Sequence, residues 1–145
     1  MTCIMLGELW MLGDIDPLLL NSSSLVCVTN VSQIRLSNNA LVPWLLIIPK
    51  TNETEWFKLS VEMQASLNEQ VNKLSHILRV SLNCSKINIA TIGNVVNQMH
   101  IHVVGRNEDD YCWPGVVWSE SACSDYKPDD KKNIIDLVCR SFGNS

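Results

Sequence analysis

The chain has 145 residues, 46% of them hydrophobic and 18% charged, with a mean hydropathy of +0.08. That is the composition of one compact domain with a sizeable core, and it excludes intrinsic disorder. Basic residues number 11 and acidic residues 15, a net charge of −4 that argues against a general grip on nucleic-acid backbone but leaves room for a small anion bound locally.

The start, Met1 to Leu12, is apolar, yet no basic residue precedes Arg35 and Glu8 interrupts it, so it reads as mature chain rather than leader. From Leu25 to Leu36 the β-branched residues and the alternation predict strand, turn, strand, ended by Asn38-Asn39. Trp44-Leu-Leu-Ile-Ile48 is continuously apolar and closed by Pro49, as expected of a short strand in mid-sheet, buried on both faces. The longest apolar run, Leu41 to Pro49, falls well short of the roughly 20 residues that span a bilayer, so no membrane segment is expected.

Ser60 offers an N-cap for a helix in which Met63, Leu67, Val71, Leu74 and Leu78 share one face. The helix fades near Asn83. Ile87 to Ile92 then reads as a strand, Gly93-Asn94 as a turn, and Gln98 to Val104 as the last strand. Glu108 to Gly115 is a loop with an acidic, solvated start, and Trp113 and Trp118 are read as packing or dimer-edge residues. Asp129 and Asp130 open a short final helix. Strands, helix, strands and helix in that order indicate an α+β domain with an antiparallel or mixed sheet. The six cysteines, Cys3, Cys27, Cys84, Cys112, Cys123 and Cys139, contain no C-x-x-C pair and read as free thiols of a reducing cytoplasm.

The chemistry concentrates in Gln98-Met-His100-Ile-His102-Val-Val. On a strand, the period of two places Gln98, His100 and His102 on one face and Met99, Ile101 and Val103 on the other. A neutral imidazole attacks phosphorus and a neighbouring one donates a hydrogen bond, so two histidines can divide the work of phosphoryl or nucleotidyl transfer. Backbone N–H groups around Gly93 to Val96, with the amides of Asn94 and Gln98, are placed in sequence to cradle phosphate oxygens. A His-x-His pair on a strand also occurs in metal sites, but no third and fourth ligand has diagnostic spacing. The remaining histidine, His76, lies within the helix and reads as a residue without chemistry. Asn38 and Asn94 are also read as simple turn formers.

At these residues the chain resembles the histidine-triad (HIT) superfamily, whose signature is three histidines alternating with apolar residues. On that motif His100 falls on the middle histidine, which in the family attacks the α-phosphorus of a nucleotide, and His102 on the third, which contacts the phosphate. Gln98 stands in place of the first histidine, and Trp44 where the family often has a further one. The segment Leu36 to Pro49 resembles the family's nucleotide-side strand pair. A bacterial branch with Gln-x-His-x-His is echoed in Arg106 and in Trp113-Pro-Gly-Val-Val-Trp118.

The resemblance spans most of residues 14–118 of a single domain, leaving 119–145 as a C-terminal tail and helix. It implies an antiparallel five-stranded sheet with one long helix and a C-terminal helix. It also implies a nucleotide pocket in which Asn38 meets the ribose and Asn94 approaches the phosphate, and a homodimer in the cytoplasm. The activity it implies is that of a nucleotide hydrolase or transferase acting on dinucleoside polyphosphates such as diadenosine tetraphosphate, nucleoside phosphoramidates or adenylylated compounds. No cofactor is required, though a divalent cation can accompany the nucleotide; neither nucleic acid nor membrane is a partner. The alternative is a non-catalytic nucleotide-binding or regulatory protein of the same superfamily.

Overall fold

The computed structural model describes residues 14–143; the apolar start, Met1 to Leu12, lies outside them with the expectation placed on it. A six-residue helix, α1 (Pro17–Ser22), opens on a proline and on Asp16, whose carboxylate accepts the Leu18 N–H at 2.8 Å. So short a segment carries almost no helical period, and the sequence pattern does not mark it.

Strands β1 (Ser23–Val28) and β2 (Ser32–Ser37) form the expected hairpin, whose turn is tied by Thr29 N–H to the Ser32 carbonyl at 2.8 Å. A bulge between Leu25 and Cys27 shifts the register of β1, so that Val26 and Cys27 are both buried in succession. With β3 (Trp44–Pro49), β4 (Lys86–Ala90) and β5 (Ile101–Arg106) they make a five-stranded antiparallel sheet of order β1-β2-β3-β5-β4. The apolar run of β3 is thus central, as expected.

The long helix α2 (Val61–His76) starts where predicted, with the Met63 N–H donating to the Ser60 hydroxyl at 3.1 Å. It runs on through one wider turn, Ile77–Ser81, and stops before Asn83, which takes a left-handed φ of 56°. The C-terminal helix α3 (Pro128–Gly143) has 16 residues, the same length as α2 rather than short.

The two faces of the sheet differ in kind. Ile34, Leu36, Leu45, Ile47, Ile101 and Val103 join Leu67, Val71 and Leu74 of α2 and Val138 of α3 in the main core. On the other face, Arg35, Leu46 and His102 lie side by side on β2, β3 and β5. Two small apolar clusters flank this face, one of Ile15, Leu19, Ile48 and Val96, the other of Val42, Val104 and Val117 with Trp44 and Trp118. Two strand limits depart from expectation. The strand expected to reach Ile92 ends at Ala90, and the one expected from Gln98 begins at Ile101. Between them Gly93 turns the chain with φ of 69°. The peptide polar groups of Gln98 are then free for contacts that a sheet ladder would have claimed.

Candidate active site

His100 and His102 are brought together as their spacing predicts. Their rings stand edge to face, with centroids 4.9 Å apart. Both are largely buried, at 6% and 8% exposure, on the sheet face opposite α2.

Nδ1 of His100 lies 2.7 Å from the backbone carbonyl of Gln98. A carbonyl only accepts, so Nδ1 carries a proton, and in the neutral ring it is Nε2 that presents a lone pair. Neither imidazole Nε2 has a hydrogen-bond partner among the described residues. An unpartnered basic nitrogen within a mostly buried ring is the arrangement a nucleophile needs.

His102 is enclosed by two indoles. Trp44, on the neighbouring strand, donates its Nε1–H to Nδ1 of His102 at 3.0 Å. Trp118 stacks on the ring with centroids 5.4 Å apart and planes 23° apart. Burial, and then the proximity of His100, push the His102 pKa down to about 4.

The side chain of Gln98 is not part of this cluster. Its Oε1 accepts the Asp16 N–H at 2.7 Å and its Nε2 donates to the Asp14 carbonyl at 2.8 Å, so the amide ties down the segment leading into α1. Strand periodicity had placed it beside the histidines; because β5 starts only at Ile101, that periodicity does not extend back to residue 98. Asn94 is exposed on the loop before the site. Asn38 follows the end of β2, where its Oδ1 accepts from the Ser24 hydroxyl at 2.8 Å and from Lys131 of α3 at 3.4 Å, and its Nδ2 donates to the Asn21 carbonyl at 3.2 Å.

Two cavities are found among the described residues, of about 390 and 350 Å³. The first is lined by Gln98, Met99 and the acids Asp14, Asp16 and Glu53, the second lies between α2 and β4, and neither is lined by His100 or His102. Among the described residues no three histidine, cysteine or acidic side chains converge as a metal cage.

One buried cation on this face was invisible to sequence reasoning. Arg35 is 3% exposed and donates to the Ser23 hydroxyl and carbonyl and to Gln33 Oε1, all neutral oxygens, and burial lowers its pKa. Its neighbours in sequence, Ile34 and Leu36, mark a strand, but no local signal says that its side chain stays inside.

A model of the HIT domain matches residues 20–109. The chain belongs to the HIT family. This HIT protein is similar to a histidine triad protein of Bradyrhizobium japonicum, 27% identical, with a TM-score of 0.84 over 88% of this chain and 96% of that one. It is likewise similar to a histidine triad protein of Sinorhizobium meliloti 1021, 29% identical, with a TM-score of 0.83 over 88% and 95% of the two chains. With the diadenosine triphosphate hydrolase of Plasmodium falciparum, 18% identical, it shares the fold, at a TM-score of 0.60 over 90% of this chain and 80% of that one. No curated protein matches the chain in sequence. In this HIT protein no helix among the described residues is long and apolar enough to cross a membrane.

Proposed function

We propose that this HIT protein is a nucleotide hydrolase or transferase that acts on the α-phosphate of a nucleotide conjugate through a nucleotidyl-His100 intermediate. The observation that supports it most is the 2.7 Å contact between His100 Nδ1 and the Gln98 carbonyl, which leaves Nε2 as the lone-pair nitrogen of the neutral ring, beside a second imidazole. In this reading Nε2 attacks the α-phosphorus. A phosphorus–nitrogen bond forms as the bond to the leaving group breaks, and water then cleaves the new bond to release a nucleoside monophosphate.

His102 contacts a phosphate oxygen. Backbone N–H groups of residues 93–96 and the Asn94 amide meet the remaining oxygens, and Asn38 meets the ribose. Gln98 contributes through its carbonyl. The substrates in scope are dinucleoside polyphosphates, diadenosine tetraphosphate among them, nucleoside phosphoramidates and adenylylated compounds, with a divalent cation accompanying a polyphosphate. The protein works as a cytoplasmic homodimer in this reading.

The test compares the wild type with His100→Asn on a panel of these substrates. The wild type is expected to release nucleoside monophosphate and to show a nucleotidyl adduct in intact-mass spectra after rapid denaturation at alkaline pH, where a phosphorus–nitrogen bond survives. His100→Asn is expected to do neither while still binding AMP. Equal release by the variant overturns the mechanism. A wild type that binds AMP but releases nothing across the panel points instead to a non-catalytic nucleotide-binding or regulatory protein.

A further inference from the structure

His102 poses a problem of protonation. A neutral imidazole has one donor and one acceptor nitrogen, and which is which decides what it offers a ligand. The indole N–H is a donor only, so the 3.0 Å contact from Trp44 Nε1 makes Nδ1 of His102 the acceptor. The proton of the neutral ring is then on Nε2, the nitrogen without a partner among the described residues. The opposite tautomer would set two N–H groups against each other.

Three further observations agree. The parallel stack of Trp118 blocks rotation of the His102 ring about its long axis. The ring is 8% exposed, so it has little water with which to exchange partners. Trp44 sits on β3 within the same pairing register as β5, opposite Val104, so the backbone ladder fixes its distance from His102.

We propose that Trp44 is a positioning residue, whose indole N–H locks His102 as a neutral Nε2–H donor aimed at the phosphate. The inference rests on the reading of His102 as the phosphate contact, and it adds a division of labour. Nε2 of His100 is held as a lone pair by a carbonyl, and Nε2 of His102 is held as a donor by an indole. The two nitrogens are set in opposite states by neighbours that cannot themselves ionise. His100 is the titratable neighbour acting on His102, and the two rings cannot both be charged cheaply at 4.9 Å. The phosphate contact therefore stays a donor from about pH 5 upward without ever becoming a cation.

The test is a long-range proton–nitrogen NMR spectrum of the whole chain labelled with ¹⁵N-histidine, with turnover measured alongside. In the wild type at pH 7, His102 is expected to show an unprotonated Nδ1 and a protonated Nε2, and to keep that pattern down to about pH 5. Trp44→Phe, which keeps an aromatic ring but removes the N–H, is expected to give mixed tautomers and a ring that titrates closer to neutral pH. It is expected to lower kcat about tenfold, with a smaller change in KM. Trp44→His, which restores an N–H donor, is expected to recover most of the turnover. A wild-type spectrum with the proton on Nδ1 overturns the proposal even if Trp44→Phe fails to fold, and so does a Trp44→Phe protein whose tautomer and turnover are unchanged. If the wild-type spectrum is as expected and no substrate turns over, the lock on His102 stands and the nucleotidyl-transfer reading falls.

Discussion

Asp110 grips Arg106 with both carboxylate oxygens, at 2.6 and 2.9 Å, in a pair whose side chains are only 6% and 1% exposed. The same guanidinium donates to the Gly115 carbonyl at 2.8 Å and to Asn88 at 2.9 Å, and lies under the Trp113 ring. One arginine at the end of β5 thus anchors the loop that delivers Trp118 to His102. Asp110→Asn is expected to lower the unfolding free energy by about 3 kcal/mol, because it strands a buried cation. The Asp110 carboxyl is held below its ordinary pKa chiefly by its hydrogen bond from Arg106. Its contribution is therefore complete above the unfolded-state pKa of about 4 and fades as pH falls through the lower folded value. Urea unfolding of wild type and variant between pH 7 and pH 2.5 checks this; a variant as stable as the wild type at pH 7 contradicts it.

His102 gives the protein a second acid sensitivity with a separate window. Its folded pKa of about 4 lies below the ordinary histidine value, so protonation favours the unfolded chain. Stability is full above about pH 6.5 and declines by roughly 3 kcal/mol as pH falls to about 4. His102→Asn keeps an oxygen acceptor for Trp44 but cannot titrate, so its stability is expected to be flatter across that interval. Chemical denaturation at half-unit pH steps decides the matter, and parallel profiles for the two proteins count against it.

Gly105 allows a close approach of strand and loop. A methyl group there would overlap Cys84 Sγ and stand 3.1 Å from Pro43 Cγ. Gly105→Ala is expected to destabilise the protein by about 1 to 3 kcal/mol. Adding Cys84→Ala, which removes the sulfur, is expected to recover part of that loss. Thermal melts of the single and double variants test the pair, and strictly additive losses would show that the sulfur is not the obstacle.

Gln98 acts through two separate groups, and they can be tested apart. Gln98→Ala removes the side-chain bonds to Asp14 and Asp16 but keeps the carbonyl that holds His100. The expected result is faster amide exchange at Asp16, with a local loss of about 1 to 2 kcal/mol. Nδ1 of His100 is expected to stay protonated. Amide exchange and histidine nitrogen shifts read the two effects separately, and unchanged protection of Asp16 speaks against the tether.

What the sequence made legible is what depends on near neighbours. The stripe from Met63 to Leu78 and the Ser60 cap located α2, and the alternation of Met99, Ile101 and Val103 with His100 and His102 separated a dry side from a chemical one. The histidine pair follows from that alternation, whereas the count of five strands follows from the family resemblance alone. What escaped was set by partners far along the chain. The Gln98 amide is occupied by residues 82 and 84 positions away, and Trp44 reaches His102 across 58. No period or spacing encodes such contacts. Alternation persists through residues 98–100 although the ladder begins only at Ile101, so the pattern alone does not mark the start of β5.

In β5 the side chains at 101 and 103 enter the main core while 102 faces the other way. A slip of one residue against β3 would therefore press the imidazole of His102 into the hydrocarbon interior under α2 and cast Ile101 and Val103 onto the outer surface. Chemistry and foldability are wired to one alignment of two strands. A misaligned chain loses its histidine pair and exposes hydrocarbon, the kind of product that cellular proteolysis removes.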